Sequence, residues 1–292
     1  MNIKDLKYFN ALIESKNFSL VAQKFSVSQP TITMAIKRLE QEFNTKFFIR
    51  DQSHKELLIT EAGHQFYAHS SQIIKELEIA NKEIQHANLH KITFGLPPII
   101  GTYYFPKATP ALLRHNLLNK LNIISRGSKV CHQMLLNGDL DLALLGTLDQ
   151  IKHPEIVTEL FGTSSFKIIV SKTHPWAHKK MVSLSELKNQ PFIIQNESYI
   201  HNQALTKIAQ MGHFHPNVIV QTDNINILKA LVSENVGIGL LADIAIAPTE
   251  QLHSISINAT EFPTFNMSIA YRTNHVLTPN QKELLSILRT SI

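Results

Sequence analysis

Apolar residues at Leu6, Phe9, Leu12 and Ile13 recur three and four positions apart between Asp5 and Glu14, which is the spacing of one face of a short helix. Ser19 reads as the N-cap of a second helix, LVAQKF, and Val27 falls in a tight connection. Ser28 can cap a third, with Pro30 in its first turn, where a missing N–H does no harm. That helix runs through Ile32, Ile36, Leu39 and Phe43. Three short helices so joined predict a helix-turn-helix unit. Two β-rich runs follow, KFFIR and ELLIT, and the polar stretch Asp51–Lys55 between them predicts a β-wing.

From Thr60 the pattern lengthens. Phe66, Ser70, Ile73, Leu77, Ala80, Ile84 and Ala87 are spaced alternately by four and three, while Lys75, Glu76, Lys82 and Glu83 lie off that line. This is a heptad seam, narrower than the apolar stripe of an ordinary surface helix. A helix of about 27 residues would be on the order of 40 Å long. It predicts pairing with a second copy through Phe66, Ile73, Leu77, Ala80 and Ile84. The alternative is a single amphipathic helix packed on its own domain.

Beyond Lys91 strand and helix alternate: KITFGL, a helix around Phe105–His115, LNIIS, a helix over Ser128–Leu136, then DLALLG. A second series runs FKIIV, PFIIQ, a helix over Asn202–Met211, NVIVQ, a helix over Ile225–Glu234, and VGIGLL. MSIAYR and a helix over Gln281–Arg289 close the chain. Such alternation implies parallel strands with crossover helices.

At 292 residues there is room for two domains of ordinary size, and a composition 43% hydrophobic and 17% charged suits a soluble globular protein. A single cysteine, Cys131, permits no internal disulfide and fits a reducing cytoplasm. The opening MNIKDLKYFNALIESKNFSL carries charges throughout, against an export signal, and no run of about 18 apolar residues suggests a membrane span. Residues 1–60 hold nine Lys/Arg against six Asp/Glu, a skew that suits a polyanion-binding end. The fifteen histidines are scattered, and His213 and His215 form only an i, i+2 pair, so no metal or cofactor site is expected. Gly237-x-Gly239 is a fragment of a dinucleotide fingerprint and no catalytic constellation emerges, so an enzyme is not expected.

The segments DLKYFNALIES, NFSLVAQKFSVSQPTIT, AIKRLEQEF, FFIR and LLITEAG resemble, in combination and order, the LysR-type transcriptional regulators. GDLDLALLG, THPWA and VGIGLLAD are similar to that family's effector-binding domain, itself similar to periplasmic binding proteins. The resemblance implies an α+β multidomain chain. A winged helix-turn-helix DNA-binding domain would span residues 1–60, a dimerisation linker helix 61–89, and a two-lobed α/β effector domain 90–292. The chain would cross between lobes near Gly162 and return near Asn266, giving lobes 91–162 plus 267–292 and 163–266. Two dimers would assemble into a tetramer on double-stranded promoter DNA, with RNA polymerase a further partner of an activator. GLPPIIGTYYFP and the wing residues SHK resemble the branch that regulates malolactic fermentation, with malate as the implied effector. Met34 stands where the family often has Arg, and Asn44 where Gly often ends the helix. A solute-binding or transport component without DNA readout is the alternative.

A recognition helix enters the major groove by its N-terminal residues, which points to Gln29, Pro30, Thr31 and Thr33 for bases, with Ser28 beside them at the DNA but read as the helix cap rather than a base contact. Lys37, Arg38 and Arg50 suit phosphates, and His54 and Lys55 the backbone or minor groove. In a two-lobed domain the cleft lies beyond the carboxyl ends of the strands, where helix N-termini favour anions. Pro98, Ile99, Thr102, Ser128, Thr147, Ser198, Tyr199 and Thr222 occupy such turns and are the expected contacts of a small carboxylate.

Overall fold

The computed structural model describes residues 1–50, 57–247, 250–259 and 262–290, with the side chain of Arg50 outside that set. The chain divides into two compact units, Met1–Lys82 and Glu83–Ile292.

The first unit opens with α1 (Ile3–Ser15), α2 (Phe18–Lys24) and α3 (Gln29–Glu42). Leu6, Phe9 and Leu12 of α1 close with Ile32, Ala35 and Leu39 of α3 into one buried core. The cap of α2 is Asn17, not Ser19: the Asn17 Oδ1 accepts the backbone N–H of Ser19 and of Leu20 at 2.9 and 3.1 Å. A carboxamide two residues earlier reaches both orphan donors, and Ser19 becomes the second residue of the helix. Ser28 caps α3 as its sequence suggests. Beyond α3, Asn44 adopts φ 45°, a left-handed turn that asparagine tolerates, and the Thr45 N–H closes on Glu40 O at 3.0 Å. β1 (Phe48–Arg50) and β2 (Leu57–Ile59) then pair antiparallel, Phe48 opposite Ile59.

The long helix α4 spans Glu61–Asn88. Thr60 starts it, its Oγ1 accepting the Gly63 N–H at 3.0 Å. A Cβ on Gly63 would lie 2.6 Å from Phe47 O, so only glycine lets the helix approach β1 this closely.

The second unit contains, in order, β3 (Ile92–Gly95), α5 (Pro98–Tyr103), α6 (Phe105–Arg114), β4 (Leu121–Ile124), α7 (Ser128–Leu136), β5 (Leu142–Thr147) and β6 (Ile156–Ser171). It continues through β7 (Met181–Ser183), α8 (Leu184–Leu187), β8 (Pro191–Gln195), α9 (Ile200–Met211), β9 (Asn217–Thr222), α10 (Ile225–Ser233) and β10 (Ile238–Ala242). β11 (Leu252–Asn258), β12 (Thr264–Arg272) and α11 (Pro279–Thr290) end it.

β3 lies parallel between β4 and β5, and β8 parallel between β9 and β10, one set for each lobe of a two-lobed α/β domain. Two long strands join them. β6 pairs antiparallel with β12 through Ser165, then from Phe166 with β10 and from Ile168 with β11. β12 also pairs antiparallel with β5, so each sheet is mixed rather than wholly parallel. The sequence pattern marks only the second half of β6, FKIIV. Its first half, IVTELFGTSS, interleaves polar residues and a glycine and is half-buried. β7 and β11 are likewise unanticipated.

Candidate nucleic-acid interface and effector cleft

On α3, Ile32, Ala35, Ile36 and Leu39 face the core, so Ser28, Gln29, Pro30, Thr31, Met34, Lys37 and Arg38 are left exposed along the opposite face. Thr33 is half-buried, and its hydroxyl donates to Gln29 O at 3.1 Å. The Ser28 and Thr31 hydroxyls lie 2.8 Å apart, and the Ser19 hydroxyl donates to Gln29 Oε1 at 3.3 Å. These bonds hold the first turn in one geometry. Arg38, expected at a phosphate, also has a partner within the unit: its Nε and Nη2 donate to both oxygens of buried Asp5 at 3.1 and 2.7 Å. A buried carboxylate demands a partner, and this two-pronged pair raises the guanidinium pKa further. Arg38 therefore ties α3 to α1, and Lys37 is exposed on the same face. His54, Lys55 and the side chain of Arg50 lie outside the described residues.

Two members of the predicted seam on α4 face inward. Phe66 stacks on Phe47 with ring centroids 4.7 Å apart and meets Phe9 and Phe43 at 4.9 and 4.8 Å. Ser70 is fully buried and donates to Asn10 Oδ1 at 2.5 Å. The heptad spacing is real, but its first turns are taken up by the unit's own aromatic core, which withdraws Phe66 from the pairing set. Ile73, Ala80 and Ile84 remain exposed and Leu77 half-buried, and Ile73, Leu77 and Ala80 line a shallow groove with His69, Gln72 and Glu76.

Within the second unit a cavity of about 510 Å³ opens where the two lobes meet, a volume that suits a small molecule. One wall is Ser128, Lys129 and His132 of α7 with Gly146 and Thr147 at the end of β5; the other includes Ser198 and Gln203, Lys207 of α9. Ser128 Oγ accepts the Gly146 N–H at 2.8 Å, fastening the strand end to the helix start. A Cβ on Gly146 would lie 2.5 Å from the Phe265 ring, so the wall depends on glycine there. The N-caps of α7 and α9 are Gly127 and Tyr199, and neither gives its helix a side-chain cap. Two helix starts with uncapped amides thus border one cavity, beside two lysines. Asp149 stands at the rim and pairs with Lys207 at 3.1 Å, an exposed contact of small worth. His132 is pushed towards neutrality by burial and then by neighbouring His153, and its buried Nε2 has no hydrogen-bond partner among the described residues.

Of the eight residues expected at the ligand, Ser128, Thr147 and Ser198 line this cavity. The other five do not. Pro98, Ile99 and Thr102 belong to α5 rather than to a loop, because Pro98 at the first helical position pre-sets the backbone. Ile99 is buried in the hydrophobic core, and Thr102 is exposed on α5. Tyr199 lies against Gly127, with its ring 3.8 Å from where a Gly127 Cβ would sit. Thr222 Oγ1 accepts the Asn224 N–H at 3.1 Å and shapes a turn. Sequence reasoning missed Lys129, His132, Gln203 and Lys207, although Lys129 directly follows Ser128 and the others lie within the first two turns of α7 and α9. Cys131 points into the interior, and burial pushes its thiol up to about 11, far from a reactive thiolate. Among the described residues no group of three or more His, Cys, Asp or Glu could hold a metal ion, and no helix is long and apolar enough to cross a membrane.

Residues 3–64 match the bacterial regulatory helix-turn-helix of the lysR family, and residues 86–292 match the LysR substrate binding domain. The chain belongs to the LysR family. This LysR-type transcriptional regulator is 34% identical over 291 residues to the malolactic fermentation system transcriptional activator of Lactococcus lactis, covering 99% of both chains. It shares the fold of HinK, a LysR family regulator from Pseudomonas aeruginosa (TM-score 0.56, 19% identity, 99% of this chain and 97% of that one). The effector-binding domain of QuiR in complex with shikimate superposes with a TM-score of 0.60 at 16% identity, over 68% of this chain and 94% of that one. The LysR regulator's effector-binding domain is thus the unit that contains the cleft.

Proposed function

We propose that this regulator binds operator DNA as a dimer through the exposed face of α3 and responds to a small carboxylate in the interlobe cleft. The observation that carries the effector reading is the meeting of two helix starts lacking side-chain caps with Lys129 and Lys207 on one cavity. Free backbone amides, helix dipoles and ammonium groups together favour an anion. Shikimate, found with QuiR, is itself a carboxylate. The likeness to a malolactic fermentation system activator supports malate as the first candidate, whose two carboxylates can address the start of α7 and the start of α9 at once. A ligand bridging both lobes binds the closed domain better than the open one and shifts the population towards it.

On the DNA side, Gln29 is the amide for an adenine edge, Pro30 and Thr31 offer carbon to thymine, and Lys37 anchors a phosphate. Arg50, His54 and Lys55 of the wing join it. Ile73, Leu77, Ala80 and Ile84 are the pairing face of α4, which presents two reading heads to a dyad-symmetric site. Residues 1–60, 61–89 and 90–292 act as reader, linker and sensor, and a cytoplasmic tetramer on promoter DNA, contacting RNA polymerase if it activates, completes the reading.

Isothermal titration of the full-length protein with malate and a panel of other organic acids tests the sensor. Malate is expected to bind, and Lys129→Met and Lys207→Met each to weaken it roughly tenfold, the worth of one charge-assisted contact. Binding by none of the acids would remove the carboxylate reading.

A further inference from the structure

We propose that Met34 is a specificity-determining residue of this regulator, reading the operator by packing its side chain on the C5-methyl group of a thymine. The inference rests on the reading of α3 as the base-contacting helix and deepens it.

Met34 lies one turn beyond Pro30 and Thr31 and one turn before Lys37 and Arg38, at the middle of the face turned away from the core. It is 52% exposed and stands outside the core built by Phe9, Leu12, Ile32 and Leu39, so no packing among the described residues of the unit accounts for an apolar side chain here. The polar side chains around it make bonds within the unit. The Thr33 hydroxyl donates to Gln29 O, the Ser28 and Thr31 hydroxyls meet each other, and two nitrogens of Arg38 are held by Asp5.

Beside Gln29 this stretch also turns carbon outward: the Pro30 ring, the Thr31 methyl and the Met34 thioether. On the base edges of the major groove the one apolar feature is the thymine methyl. Methionine suits that contact, being unbranched, polarizable and able to follow a groove floor. Lys37, one turn further, supplies phosphate attraction that carries no sequence information.

The test uses the full-length protein on the duplex upstream of its own gene. Footprinting defines the protected site. Each thymine within it is then replaced singly by deoxyuridine, which deletes the methyl group alone, and affinities are measured for wild type, Met34→Ala, Met34→Leu and Gln29→Ala. At one thymine in each half-site wild type should lose about fourfold, the burial of one methyl expressed as an affinity ratio. Met34→Ala should be weaker on the natural site and indifferent to that deoxyuridine, while Met34→Leu and Gln29→Ala keep the response. The assignment of Met34 falls if, with site-specific binding intact, no deoxyuridine weakens wild type or Met34→Ala responds as wild type does everywhere. A wild type that prefers no duplex over random DNA would instead remove the base-reading role of α3, and Met34 with it.

Discussion

The base-contacting face proposed for α3 draws its side chains from one stretch, its cap Ser28 to Lys37, whereas the cleft assembles segments 128–132, 146–151 and 198–207 from two lobes. In the first, a cap, a proline and an apolar spacing fix which residues face outward, so position follows from local sequence. In the second, residues some 60 positions apart become neighbours only because β6 and β12 tie the lobes together. A surface built from one helix withstands change at single outward residues. A cleft built from three segments depends on contacts that none of its own residues makes alone.

The largest effect expected within this comparison separates the two ends of α4. Phe66→Ala empties a cluster of four aromatic rings and should cost the reading unit about 3 kcal/mol in a denaturant melt. Ile73→Glu, on the exposed part of the same helix, should leave that melt within about 0.5 kcal/mol yet raise the dimer dissociation constant roughly a hundredfold in sedimentation, since a twofold axis counts the change twice. The opposite pattern, a stable Phe66→Ala that dissociates, would return Phe66 to the pairing seam.

A second, smaller effect belongs to the effector domain. His201 at the start of α9 is fully buried, its Nε2 accepts the Ala242 N–H at 3.1 Å, and burial pushes its pKa from 6.5 down to about 3. The folded form keeps it neutral while the unfolded chain takes up a proton below 6.5, so its contribution is complete above pH 6.5 and is lost as pH falls towards 3. The loss should reach about 2 kcal/mol by pH 5 and be absent from His201→Asn, whose stability between pH 5 and 7 should vary correspondingly less. Equal slopes for the two proteins would place the acid sensitivity elsewhere.

The same contrast explains what could be read from the sequence. Ser28, Pro30 and the spacing of Ile32, Ile36 and Leu39 locate α3 almost to the residue because each acts within one turn of its neighbours. Even there, local signals mislead where two residues can do one job: Asn17 and Ser19 are both good caps, and the side-chain reach of Asn17 decides. Phe66 keeps the heptad spacing, yet spacing does not say whose core receives the ring. In the cleft, Ser128, Thr147 and Ser198 were legible as residues at the junctions of strands, loops and helix starts. Lys129, His132, Gln203 and Lys207 were not, since which face of its first two turns a helix presents to the cleft is set by how the lobes pack. Pro98 and Thr102 looked like loop residues because a six-residue helix leaves too little periodicity to see.

The most direct test is a competition titration of full-length wild type and Gln29→Ala on the region upstream of the gene and on random duplex, at several salt concentrations. Wild type should favour its own region by about a thousandfold or more, and both affinities should fall steeply with salt. Gln29→Ala should lose roughly tenfold on the specific site and nothing on random duplex. Wild type binding both duplexes equally, or Gln29→Ala weakening both alike, would contradict base reading by α3.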